Sequence, residues 1–167
     1  FLLNRSFASM EWHIVKEEYW KDAKIEARKN IDFNSEIKIY ASDVSEKAIR
    51  IAEENAIEAG VDDCIDFFVK DVNHIEKTMC PYGVLITNPP YGERIGDEEQ
   101  LTKIHRKLGS VFGRDSTWSV YVITSSNNFE KEFGRKADRK RKLFNGDMRV
   151  DYYQFFGTRP ESRIEKD

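Results

Sequence analysis

Asn88-Pro89-Pro90-Tyr91 follows directly on the apolar run Gly83-Val84-Leu85-Ile86-Thr87. Proline cannot donate to a sheet ladder, and a residue that precedes proline is driven to extended geometry. Two consecutive prolines therefore end a strand and leave Asn88 little backbone freedom. The Asn88 amide oxygen, together with the Pro89 carbonyl, could accept both hydrogens of an aromatic amine. Those two bonds would favour a pyramidal nitrogen whose lone pair is freed for attack on an electrophile. Tyr91 could stack on the ring that carries the amine, an interaction of about 1–3 kcal/mol per base in single-stranded nucleic-acid sites. The alternative is a structural Pro-Pro turn with a surface tyrosine. In an open α/β sheet, ligands bind beyond the carboxyl ends of the strands, which is where Asn88 would stand.

Two acidic residues take similar places in the pattern. Asp43 follows the alternating residues 37–41, where a carboxylate can accept both hydroxyls of a ribose, as in dinucleotide-binding sheets. Asp71 follows residues 65–69, where it could accept from an adenine amine while Val72 and Val44 pack on the ring. Taken singly, either aspartate could be a helix cap or turn residue, because Asp forms local hydrogen bonds there. Strand-end polar positions at 43, 71 and 88 would together line one crevice along the carboxyl edge of a sheet. Residues 131–142 hold Lys131, Arg135, Lys136, Arg139, Lys140, Arg141 and Lys142 against Glu132 and Asp138. That segment could neutralise phosphates, or it could be a solvated charged stretch.

The elements that must position these residues are legible from periodicity. Trp12, Val15, Tyr19, Ala23 and Ala27 predict an amphipathic helix over residues 9–29, capped by Ser9. A strand at 37–41 is followed by Ser45 as an N-cap. Ala48, Ile49, Ile51, Ala52, Ala56 and Ala59 then form the apolar face of a helix stopped by Gly60. Strands are expected at 65–69, 83–87 and 118–124. Between the last two, Leu101, Ile104, Leu108, Val111 and Phe112 mark a helix over 100–112. Residues 142–145 and 149–156 flank Gly146-Asp147 as a β-hairpin. Alternating strands and helices with a closing hairpin predict a mostly parallel α/β sheet with an antiparallel edge. Residues 1–160 read as one domain and 161–167 as a polar tail.

With 167 residues, 40% of them hydrophobic, the chain can bury one sizeable core. No apolar run approaches the ~20 residues of a membrane span, and no secretory leader is seen, so a cytoplasmic protein is expected. The net charge of −3 gives no overall attraction to nucleic acid, which leaves any such role to the local basic segment. Cys64 and Cys80 make no metal-ligand spacing with the histidines and read as reduced thiols. His13, His74 and His105 match no nucleophile–base arrangement, and His105 falls on the 100–112 helix as a packing or surface residue. No metal is called for.

Taken together, this order resembles the class I, S-adenosylmethionine-dependent methyltransferase fold, a Rossmann-like sheet, from its second strand onwards. Four segments carry a narrower likeness: Asn4-Arg5-Ser6-Phe7-Ala8-Ser9, Ala41-Ser42-Asp43-Val44-Ser45, Asn88-Pro89-Pro90-Tyr91-Gly92-Glu93-Arg94, and the run from Arg135 through Gly146. They resemble the bacterial ribosomal RNA guanine-N2 methyltransferases, in which an RNA-binding THUMP domain commonly precedes the catalytic domain. The resemblance implies S-adenosylmethionine as cofactor and RNA, 23S ribosomal RNA in particular, as partner. It implies Asp43 for the ribose, Asp71 for the adenine with Val44 and Val72 on its ring, and Asn88, Pro89, Pro90 and Tyr91 for the target amine, Asn88 also bordering the cofactor. Arg94, Arg139, Lys140, Arg141 and Lys142 would meet the base or its phosphates, a surface salt bridge being the alternative for Arg94. The Asn-Pro-Pro-Tyr core is shared by adenine and glutamine methyltransferases, so those substrates remain open, as does a non-catalytic RNA-binding role. The family's glycine-rich loop has no counterpart upstream of Gly60, so the first strand is expected to be absent, leaving two unpaired strand edges.

Overall fold

Ser45 accepts a hydrogen bond from Ala48 N through its hydroxyl at 3.3 Å, and this cap opens the helix Glu46–Ala59. Gly60 ends it in the left-handed region at φ 67°, where a side chain would be strained. These features belong to a computed structural model that describes residues 7–32, 36–77, 80–90, 97–114 and 117–160. The chain divides into two compact units, Phe1–Lys70 and Asp71–Asp167.

The first unit holds α1 (Glu17–Lys29), β1 (Ile39–Asp43), α2 (Glu46–Ala59) and β2 (Ile65–Val69). Strands β1 and β2 pair in parallel, with Ile39 opposite Ile65 and Asp43 opposite Val69. Its apolar burial is thin. Only Ile49 and Ala56 are buried hydrophobics there among the described residues, while Tyr40 and Phe68 stack at 6.4 Å on a face that stays largely exposed.

The second unit holds β3 (Gly83–Thr87), α3 (Asp97–Phe112), β4 (Trp118–Thr124), α4 (Phe129–Phe133), β5 (Arg139–Asn145) and β6 (Met148–Phe155). Its four strands run in the order β3-β4-β6-β5. β3 and β4 are parallel, whereas β6 is antiparallel to both β4 and β5. Strict alternation along β4 sends Trp118, Val120, Val122 and Thr124 to one face. There they meet Leu108 and Phe112 from α3, Phe129 and Phe133 from α4, and Tyr153 and Phe155 from β6. Full burial of each such side chain contributes about 1.5–3 kcal/mol, so this cluster dominates the unit's stability. Gly109 lets α3 approach α4 closely, since a Cβ there would fall onto the Phe133 carbonyl.

The structure departs from the sequence pattern at several points. The opening helix is shorter than residues 9–29: Ser9 lies inside a 3-10 turn (Ala8–Glu11), and α1 starts at Glu17 with no side-chain cap. Trp12, His13, Ile14 and Val15 are aromatic or β-branched, which disfavours helix through that stretch. β1 begins and ends two residues later than expected, so Asp43 is its last residue, and Ile51 on α2 is 48% exposed. α3 begins three residues earlier, at Asp97, and α4 went unread, although its Phe129 and Phe133 both point into the core. β5 begins at Arg139, so the basic residues form a strand and do not merely precede one. Among the described residues the strands pair within two sheets, one parallel and one mixed, which gives the expected α/β arrangement with parallel strands and a closing antiparallel hairpin. β1 and β3 each pair on one side only among those residues.

Candidate active site

The head of β3 is fixed to β4 by close packing. Gly83 stands opposite Trp118, and a Cβ at Gly83 would lie 2.6 Å from the indole ring. Trp118 Nε1 also donates to the Cys80 carbonyl at 3.3 Å. From there the register runs across the sheet without a break: Thr87 pairs with Val122, Val122 with Tyr153, and Tyr153 with Lys140. Asn88 is the next residue beyond that row, at the carboxyl edge of β3. It is exposed, and its amide has no hydrogen-bond partner among the described residues, while Pro89 behind it is buried. An amide held by a buried proline and left open to solvent is free to bind an amine. Tyr91 and Arg94 lie outside the described residues.

Asp43 and Asp71 sit in different units, and each first serves its own loop. Asp43 Oδ1 accepts from Ser45 N at 2.7 Å, and Asp71 Oδ1 accepts from Asn73 N at 2.7 Å, capping the turn Val72–His74. The turn and cap roles weighed for each aspartate are therefore both present. In each case Oδ2 has no partner among the described residues, so one carboxylate oxygen remains for a ligand hydroxyl or amine. Val44 is 71% exposed and offers an apolar surface beside Asp43. Val72 is partly buried and packs against the core cluster of its own unit.

The basic segment separates into free and committed cations. Arg135 Nη2 lies 2.9 Å from Asp138 Oδ2 and is paired. Lys140 Nζ donates to Tyr153 Oη at 2.9 Å, lies 3.1 Å from Asp151 Oδ2, and sits 4.5 Å from the Tyr153 ring centre. Burial alone would lower the pKa of this ammonium, but the hydrogen bonds to Tyr153 and Asp151 outweigh it and raise the pKa above the ordinary lysine value. Lys140, read as a substrate contact, remains exposed, and its ammonium is engaged by Tyr153 and Asp151. Arg139, Arg141 and Lys142 have no ion pair among the described residues. Tyr153 and Asp151 are the residues that the sequence pattern missed. The signal was present as the i, i+2 spacing of Asp151 and Tyr153 on a strand opposite a lysine, which only the register could reveal.

His105 is fully buried, its Nδ1 2.6 Å from Glu132 Oε2 and its ring edge-on to Phe129. Burial pushes its pKa below the ordinary value, and the Glu132 contact only partly offsets this. Nε2 is buried without a partner, which argues for a neutral imidazole whose Nδ1–H donates to Glu132. It is a packing residue between α3 and α4, one of the two roles its sequence allowed. Cys64 and Cys80 are both free thiols.

Parallel β3 and β4 with a closing antiparallel hairpin belong to a class I methyltransferase-type α/β fold. More narrowly, the chain belongs to the UPF0020 family, the RMKL-like methyltransferase domain, which matches residues 3–154. It is 40% identical over 161 residues to YpsC of Bacillus subtilis (strain 168), provisionally named an RNA methyltransferase, covering 96% of this chain and 42% of that one. It is 34% identical over 149 residues to the ribosomal RNA large subunit methyltransferase K/L of Shewanella sp. (strain W3-18-1), covering 87% of this chain and 21% of that one. Among solved structures, SMU.472 complexed with SAH, a provisionally assigned methyltransferase, matches at TM-score 0.78 and 39% identity over 95% of this chain and 42% of that one. A predicted N6-adenine-specific DNA methylase from Listeria monocytogenes str. 4b F2365 matches at TM-score 0.76 and 41% identity, covering 93% of this chain and 40% of that one. The chain thus spans less than half the length of each of these proteins.

Proposed function

We propose that this chain is part of an S-adenosylmethionine-dependent methyltransferase that modifies an exocyclic amine of a nucleobase in RNA, with guanine N2 of 23S ribosomal RNA as the favoured target. The observation that carries the reading is Asn88, an exposed amide just past the end of β3 with no partner among the described residues, set by the buried Pro89. Asn88 Oδ1 and the Pro89 carbonyl take the two amine hydrogens and leave the nitrogen lone pair free. When bound, the cofactor supplies an electrophilic methyl on its sulfonium. By its chemistry, the free Asp43 carboxylate oxygen suits ribose hydroxyls, and that of Asp71 suits an adenine amine. Arg139, Arg141 and Lys142 supply charge for phosphates, and a paired target base would leave its stack at a cost of a few kcal/mol. Tyr91 and Arg94 retain their proposed roles at the base, and a THUMP domain remains the expected RNA-binding partner module.

The test is methyl transfer by the full-length protein to unmodified 23S ribosomal RNA and to duplex DNA, with the modified nucleoside identified by mass spectrometry. N2-methylguanosine in RNA is the expected product. The likeness to an N6-adenine-specific DNA methylase favours a second reading, for which N6-methyladenine in DNA would be the product.

A further inference from the structure

β6 runs past the sheet it belongs to. Thr124, the last residue of β4, pairs with Asp151, so Met148, Arg149 and Val150 pair only with β5. The register places this free ribbon on the carboxyl side of the row Thr87-Val122-Tyr153-Lys140, the side on which Asn88 emerges. At about 4.8 Å between strands and about 3.3 Å per residue, Phe144 stands about 14 Å across the sheet from Asn88 and about 10 Å beyond it.

Alternation along β5 puts Lys142 and Phe144 on one face, with Arg149 directly opposite Phe144. Phe144 is 68% exposed, a poor use of a large aromatic side chain if stability were its only role. Lys142 has no carboxylate partner among the described residues, and Arg149, half exposed, lies 3.5 Å from Asp151. An exposed ring flanked by cations, on a two-stranded arm that projects from the same edge of the sheet as Asn88, matches an unstacked base and its phosphates. An apolar protein partner would leave Lys142 desolvated and unpaired, at a cost.

The geometry points to the β5–β6 tip as a second nucleic-acid contact, in which Phe144 stacks on an unpaired RNA base near the target nucleotide and Lys142 neutralises an adjacent phosphate. This rests on the RNA reading above and adds to it the requirement that the flanking substrate be single-stranded or looped. No chemistry occurs at the tip, so it sets substrate choice without touching methyl transfer directly.

The experiment uses the full-length protein and fluorescein-labelled RNAs, one a single-stranded 12-mer and one a fully paired duplex, read by anisotropy. Phe144→Leu should weaken binding of the single strand about tenfold with the salt dependence unchanged, and Phe144→Tyr should restore it. Lys142→Ala should lower the salt slope by about one. Photo-cross-linking of 4-thiouridine-substituted RNA, mapped to the peptide containing Phe144, tests the wild-type protein without any substitution. Wild-type protein that binds RNA, with Phe144→Leu equal to it and no cross-link at the tip, overturns the tip contact alone. Wild-type protein that binds DNA but no RNA overturns the RNA reading and this inference with it.

Discussion

Lys140 Nζ lies 3.1 Å from Asp151 Oδ2, which makes a lysine from the middle of the basic segment an internal tie between β5 and β6. Asp151 is nearly buried, and Arg149 reaches the same carboxylate at 3.5 Å. Asp151→Asn removes the charge partner of both cations. Because Lys140 keeps 37% of its side chain in contact with water, the loss is moderated to about 1 kcal/mol in urea unfolding. Lys140→Ala should likewise act on the unfolding midpoint. Arg141→Ala should leave that midpoint unmoved and weaken RNA binding. RNA binding lost in Lys140→Ala at unchanged stability would contradict the internal role.

Asn88→Ala in the full-length enzyme should reduce turnover about 100-fold or more, the scale seen when one donor or acceptor is removed from a preorganised polar site. Cofactor affinity by calorimetric titration should change little. Equal losses in both would mean that Asn88 holds the cofactor and not the amine.

Gly109 has no room for a methyl group against the backbone of Phe133. Gly109→Ala must push α3 away from α4, at a cost of about 1–3 kcal/mol or more. Thermal unfolding would show it as a lowered midpoint. A midpoint equal to wild type would show that α3 and α4 are less closely packed than described.

His105 gives the stability a pH dependence of definite sign. Its ordinary pKa is 6.5 and the folded value is lower, because burial disfavours the imidazolium. Below 6.5 the unfolded chain takes up the proton first, so the contribution is complete above that pH. It is lost as the pH falls, until the folded group also titrates. Chemical denaturation across pH 8 to 5, an interval of about 1.5 units on either side of the ordinary imidazole value, reads the slope. His105→Gln, which keeps a neutral donor for Glu132, should flatten it. A wild-type protein that gains stability on acidification through this range would refute the assignment.

Much of the architecture follows from local signals that the fold leaves undisturbed. The Ser45 cap, the Gly60 stop, the Gly146-Asp147 turn and the alternation of β4 all act within a few residues, and all stand in the structure. The opening helix and α4 were less legible. The first was over-extended because helical spacing continued through residues whose propensity opposes it. The second is a five-residue helix held by tertiary packing of Phe129 and Phe133. At the candidate site, the place of Asn88 just past the end of β3 was legible because two prolines end the strand there. The division of the basic residues into free and engaged was not, since it depends on which partner the register sets across from each one.

The unpaired side of β3 bears on handling this polypeptide by itself. Its backbone donors and acceptors have no neighbour there among the described residues, and Val84 and Ile86 are 60% and 77% exposed. Such a border is a template for adding another strand. Purified alone, the polypeptide should therefore oligomerise as it is concentrated, and a charged substitution such as Ile86→Lys should keep it dispersed.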